Sequence, residues 1–166
     1  MLTQDVQQIA PRAPAEGHSG AQRVLVAFDG SDGAWAALQQ AIAVAVSNGA
    51  VLTIAGVVQE PRFVWAGPGA IAVPYTREGM RRELDAEMRR VLAGARDEVP
   101  ATVSVTTRIL HGRPVRALAA FAEEGGFDLV VTGPRPGGRL DRLLRGSVTH
   151  GLLSRSHISV LAVRAH

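Results

Sequence analysis

Short apolar runs that alternate with longer amphipathic segments are the feature that most constrains the fold of this chain. The runs RVLVAF (23–28), VLTIAGVV (51–58) and DLVVT (128–132) are almost continuously apolar and rich in valine. Continuous apolar runs of this length are typical of strands that are covered on both faces. Strands that alternate with helices predict a parallel sheet with right-handed crossovers.

The same pattern predicts one α/β domain of five strands and four helices. The strands are expected at residues 23–28, 51–58, 102–109, 128–132 and 159–163, and the helices at 33–47, 76–98, 114–124 and 147–155. The run 102–109 alternates between apolar and polar residues, which favours a position near a sheet edge. Residues 1–20 lack apolar periodicity and are expected to be a disordered tail, so that residues 21–166 form the domain.

Local signals sharpen the helix predictions. In the first helix, one face is expected to carry the buried side chains of Trp35, Leu38, Ile42 and Val46, and Asn48-Gly49 should end it with a left-handed residue. In the second helix, the spacing predicts two i,i+4 ion pairs on the exposed side. These pairs are Glu78 with Arg82 and Asp85 with Arg89.

Composition excludes several kinds of chemistry. The chain has no cysteine, and all 18 of its basic residues are arginine. Disulfides, thiol catalysis, a P-loop lysine and a Schiff-base lysine are therefore excluded. The formal charge of only +3 gives little reason to expect a nucleic-acid partner. No apolar run reaches the ~20 residues of a membrane helix, and the expected location is the cytoplasm.

The segment VVTGPRPGGRLDRLLRGSVTHGLL (130–153) combines a strand, a glycine-rich loop and a helix start. Glycines that face a helix N-terminus offer backbone N–H groups to a phosphate. Pro134 and Pro136 lie in the same loop, however, and proline has no N–H to donate. The loop therefore predicts an anion site that has lost part of its donor set.

Asp29 follows the first buried strand, where an open parallel sheet binds its ligands. Its carboxylate would emerge at the rim and could accept hydrogen bonds from a ligand. An equally local interpretation is that Asp29 forms an Asx turn or caps the following helix. Residues 59–75, which include Phe63 and Trp65, are expected either to cover the sheet or to form a lid or contact surface.

Three separated segments resemble the universal stress protein family, over roughly residues 23–164. They are VLVAFDGSDGAWAAL, FDLVVTGPRPGG and LLRGSVTHGLLSRSHISVLAVR. The resemblance implies a five-stranded parallel sheet of order 3-2-1-4-5 and a homodimer. It also implies ATP binding, with Mg²⁺ on the phosphates, through a motif Gly-x2-Gly-x9-Gly-Ser/Thr. The motif begins at Gly133 and ends at Gly146-Ser147, but Pro136 stands where its second glycine is expected.

The resemblance assigns a set of nucleotide-binding positions by residue. The positions expected near the adenosine or the phosphates are Phe28, Asp29, Val57, Thr132, Gly133, Gly137, Gly138, Gly146, Ser147 and Val148. No catalytic residue and no protein ligand to a metal is expected, since the histidines lack metal-ligand spacing. The chain is therefore predicted to bind nucleotide without being an enzyme, although slow ATP hydrolysis stays open.

Loss of one hydrogen bond to a charged phosphate costs ~1.5–3 kcal/mol, or roughly ten- to a hundredfold in affinity. Two hypotheses therefore stay open. The first is a stress-response module that binds an adenine nucleotide with reduced affinity. The second is a nucleotide-independent dimeric interaction module of the same fold, which pairs through the last strand, from Ser159 to Val163, and offers a surface to an unidentified protein partner.

Overall fold

The computed structural model describes residues 20–59, 77–133, 151–152 and 158–163. They form strands β1 (Arg23–Ala27), β2 (Val51–Val58), β3 (Val105–His111), β4 (Leu129–Thr132) and β5 (Ser159–Ala162), with helices α1 (Asp32–Asn48), α2 (Arg77–Asp97) and α3 (Pro114–Glu124). Of the predicted fourth helix, the described residues Gly151 and Leu152 are helical. The rest of that helix, residues 1–19 of the predicted 1–20 tail and residues 60–75 of the predicted 59–75 segment lie outside the described residues.

All five strands are parallel and lie in the order β3-β2-β1-β4-β5. This confirms the predicted topology. The central strand β1 pairs with β2 on one side and with β4 on the other, with Val26 opposite both Ile54 and Val131. The edge position predicted for the third strand is also confirmed, because β3 pairs with β2 alone among the described strands.

Two hydrophobic clusters cover the two faces of the sheet. Residues of α1 and α2 pack against one face, where Val26, Leu52 and Ile54 are completely buried. Residues of α3, together with Leu152, pack against the other face on Leu25 and Val130. Burial of β1, β2 and β4 on both faces explains why their sequences are almost continuously apolar.

The C-terminus of α1 ends as the sequence predicts. Gly49 adopts a left-handed conformation with φ of 64°, and its N–H donates to the carbonyl of Ala45. The inward face of α1 differs from the prediction, because Val46 is 56% exposed. An i,i+4 row turns by about 40° per step, so Val46 has rotated away from the sheet that Leu38 contacts. Alanines provide most of the true contact face, and its members are Gly33, Ala34, Ala37, Leu38, Ala41, Ile42 and Ala45.

The predicted bounds of the third strand, 102–109, were wrong, because β3 begins and ends later, at Val105–His111. Val103 is apolar and buried, but its N–H donates to the carbonyl of Pro100 in a turn before the strand. An apolar, β-branched residue that is buried in a turn gives the same sequence signal as one in a strand. His111 is the last residue of β3.

One of the two ion pairs predicted on α2 forms. The Arg82 guanidinium pairs with Glu78. Asp85 does not pair with Arg89 but instead lies 2.8 Å from Nε2 of His111. The contact joins α2 to the carboxyl end of β3, and periodicity within a single helix cannot reveal a partner on another element.

Candidate functional site: the carboxyl ends of β1 and β4

The order of the strands reverses between β1 and β4, because the chain builds β2 and β3 on one side of β1 and then β4 and β5 on the other. In open parallel sheets this reversal opens a crevice at the carboxyl ends of the strands, and ligands bind there. The register pairs Val26 with Val131, so that the chain leaves both strands at the same edge. Asp29 and Gly133 lie just beyond these ends.

Asp29 is exposed and forms a tight turn with Ser31. Its Oδ1 accepts hydrogen bonds from the Ser31 N–H at 3.1 Å and from the Ser31 hydroxyl at 2.6 Å. Gly30, between them, has φ of 80°, a left-handed conformation that suits glycine. The Asx-turn interpretation of Asp29 is therefore confirmed as geometry, and it fixes the carboxylate at the rim of the crevice.

Ser31 connects this turn to the first helix. Its Oγ accepts a hydrogen bond from the Ala34 N–H at 3.2 Å, and its carbonyl accepts from Trp35. Ser31 is thus the N-cap of α1, and Asp29 holds the cap in place. Sequence analysis singled out Asp29 but missed the role of Ser31, although a serine just before a helix is a recognisable capping signal.

Phe28 supports the turn from beneath. Its ring is buried and meets Trp35 edge to face, with 4.9 Å between the ring centroids. Its N–H donates to the carbonyl of Ala55 at 2.9 Å. The Phe28 side chain, predicted to contact the nucleotide, therefore belongs to the core.

Val57 lies near the carboxyl end of the neighbouring strand β2. The register ends with Ala27 opposite Ala55, and Val57 and Asp29 each follow this pair by two residues in their own segment of the chain. The Val57 side chain is half-buried and packs with the cluster on the α3 side of the sheet. An apolar surface next to a carboxylate can accept a flat heteroaromatic ring together with its polar ribose.

Thr132 and Gly133 form the other wall of the crevice. Thr132 is buried, and its carbonyl accepts a hydrogen bond from the Val163 N–H at 2.8 Å. Gly133 lies against the first turn of α1, where a Cβ added to it would be 1.8 Å from the carbonyl oxygen of Gly33. Close backbone packing is therefore one reason for glycine at this position. Gly33 is the partner that sequence analysis missed.

The remaining predicted site residues lie outside the described part of the chain. They are Gly137, Gly138, Gly146, Ser147 and Val148, and the same is true of Pro134, Pro136 and the arginines of the loop. Downstream of them, Leu152 is completely buried, and a Cβ added to Gly151 would be 2.5 Å from a methyl group of Val115. Leu152 thus joins the α3 side of the core.

Within residues 20–59, 77–133, 151–152 and 158–163, no three His, Asp or Glu side chains are grouped closely enough to hold a metal ion. No helix among these residues is both long and apolar enough to cross a membrane.

Comparison with known proteins gives the affiliation of the chain. The family model described as "Universal stress protein family" matches residues 20–164. The chain belongs to the universal stress protein family. Universal stress protein YxiE of Bacillus subtilis (strain 168) is 31% identical over 145 residues, which cover 86% of this chain and 98% of YxiE.

Solved structures of this family share the fold. A crystal structure of a universal stress protein in complex with cAMP aligns with a TM-score of 0.66 at 29% identity, over 89% of this chain and 100% of that one. Universal stress protein UspA from Lactobacillus plantarum aligns with a TM-score of 0.69 at 24% identity, over 88% and 99% of the two chains.

Proposed function

We propose that this universal stress protein is a stress-response module that binds an adenine nucleotide, ATP by the family motif, in the crevice between Asp29 and Gly133. One observation carries the proposal: three features lie at the carboxyl ends of neighbouring strands, where the strand order reverses. They are the exposed Asp29 carboxylate held by Ser31, the half-buried Val57 side chain, and the Gly133 backbone packed against Gly33. The cAMP complex of a relative at 29% identity supports the adenine class of ligand.

In this proposal Asp29 accepts hydrogen bonds from the ribose hydroxyls, and Val57 packs against the base. The backbone at Gly133 begins the phosphate loop, which continues through Gly137, Gly138, Gly146 and Ser147. Mg²⁺ would be held by the phosphate oxygens. The chain acts by binding and not by turnover: a ligand that prefers an ordered loop shifts the population towards that state. A cytoplasmic location stays a prediction.

The test is isothermal titration with ATP of the wild type and of Asp29→Asn. Asparagine keeps one acceptor oxygen for Ser31, removes the charge and replaces the second carboxylate oxygen with an NH2 donor. A hydrogen bond to a charged acceptor is stronger by about 1 kcal/mol than one to a neutral acceptor, so affinity should fall roughly fivefold. Asp97→Asn, an exposed change at the far end of α2, is the control and should bind as the wild type does. Equal affinities for all three proteins would contradict the assignment of Asp29.

The second candidate is a nucleotide-independent dimer that pairs through β5. The observation that favours it is the position of β5, whose half-buried Val160 and Leu161 lie on the last strand of the described sheet. Pro136→Gly separates the two candidates. A gain in ATP affinity of roughly ten- to a hundredfold identifies a weakened nucleotide site, whereas no response to millimolar ATP in either protein supports the interaction module.

A further inference from the structure

Among the described residues, β3 is the last strand on its side of the sheet, and its outer edge carries the exposed residue Arg108. Two hydrogen bonds between β2 and β3 show which backbone groups face β2: the Leu52 N–H donates to the Ser104 carbonyl, and the Gly112 N–H donates to the Val58 carbonyl. In a parallel ladder, alternate residues of a strand bond to the same neighbour. Even-numbered residues of β3 therefore bond to β2.

It follows that the backbone N–H and C=O groups of odd-numbered residues, Thr107 among them, point away from the sheet. A row of outward backbone groups is a template on which another strand can add. The side chains of β3 do not prevent such pairing by bulk, because the strand is rich in β-branched residues that favour sheet structure. Its β-branched residues are Val105, Thr106, Thr107 and Ile109.

Arg108 occupies this edge. Its side chain is exposed, and Nη1 donates a hydrogen bond at 3.0 Å to the outward carbonyl of Thr107. The guanidinium therefore lies across the middle of the edge and uses the acceptor that an incoming strand would need. Addition of a strand would break this contact and bring a charged group against the new backbone, with a desolvation cost that no partner offsets.

We propose that Arg108 blocks strand addition at the β3 edge and so restricts edge-to-edge association to the opposite side of the sheet. The contrast with β5 supports this: its sequence, Ser159–Ala162, contains no charged residue. A sheet with one blocked and one open edge can form closed pairs, whereas two open edges permit pairs to extend into chains of molecules. Arg108 thus acts as a device against extended assembly.

The experiment compares Arg108→Thr with Arg116→Thr by size-exclusion chromatography with light scattering over a range of protein concentrations. Both variants lose one exposed arginine, but Arg116 lies on α3 and not on a strand. Arg108→Thr should form species at least twice the mass of the wild-type species, increasingly so at higher concentration. Arg116→Thr should keep the wild-type mass.

Circular dichroism and thermal unfolding of the same samples show that Arg108→Thr is folded, and Arg108→Gln gives a second variant without the charge in case threonine does not fold. Identical masses for Arg108→Thr, Arg108→Gln and Arg116→Thr at every concentration would overturn the proposal. The comparison is made relative to the wild type, whether that is a monomer or a dimer, so its outcome is independent of nucleotide binding and of pairing through β5.

Discussion

Replacement of Gly133 by alanine tests whether glycine is required there for packing. An added Cβ would lie 1.8 Å from the carbonyl oxygen and 2.3 Å from the carbonyl carbon of Gly33. A relaxed carbon–oxygen contact is about 3.3 Å, so the two backbones must separate by roughly 1.5 Å. Gly133 is not among the described glycines with positive φ. The strain in the variant is therefore steric and does not come from a left-handed conformation.

Overpacking of a well-filled site costs about 1–3 kcal/mol. We expect the upper end of that range for Gly133→Ala, because both obstructing atoms belong to the backbone and cannot change rotamer. For a chain of this size each kcal/mol lowers the melting temperature by about 2–4 °C. The expected fall is therefore roughly 6–12 °C, measured by thermal unfolding followed by circular dichroism.

Gly94→Ala is the matched control, because it adds the same methyl group in the interior of α2 with nothing within 4 Å of the new Cβ. Alanine is favoured over glycine there by about 1 kcal/mol, so this variant should melt slightly above the wild type. The reasoning is refuted if Gly133→Ala melts within 2 °C of the wild type, a limit set by the ~2–4 °C expected per kcal/mol.

Three further predictions concern the ends of the elements. Asp128→Ala should lower the free energy of unfolding, measured by urea denaturation, by about 1–3 kcal/mol, because Oδ2 accepts backbone N–H bonds from residues 22 and 23 at 2.8 Å. Asp97→Ala is the control and should leave the urea midpoint nearly unchanged. Ser31→Ala should cost about 1 kcal/mol in the same assay through loss of the α1 cap, and an unchanged midpoint would contradict that role. Val160→Pro should abolish a β5-mediated dimer in light scattering without unfolding the chain. The Val163 N–H donates to β4, and N–H groups alternate along a strand, so the Val160 N–H points away from β4. A dimer that survives Val160→Pro would show that β5 is not the dimer interface.

The sequence determined those features of this protein that depend on near neighbours in the chain. Continuous apolar runs predicted the strands, and Asn48-Gly49 predicted the end of α1. An Asx turn joins residues only two apart, so the sequence alone predicted the local contact of Asp29. The family resemblance added the strand order, which local pattern cannot supply.

Only the tertiary structure decided features that join residues far apart in sequence. Asp85 pairs with His111 and not with the arginine one turn away, because the carboxyl end of β3 comes to lie beside α2. Gly133 meets Gly33, one hundred residues earlier in the chain, because β1 and β4 are neighbours in the sheet. Sequence periodicity reports which face of an element is apolar, whereas the side chain or backbone that it meets is set by the packing of the whole sheet. The motif predicted a crevice at the ends of β1 and β4, whereas the close approach of Gly133 to Gly33 could be seen only in the folded chain.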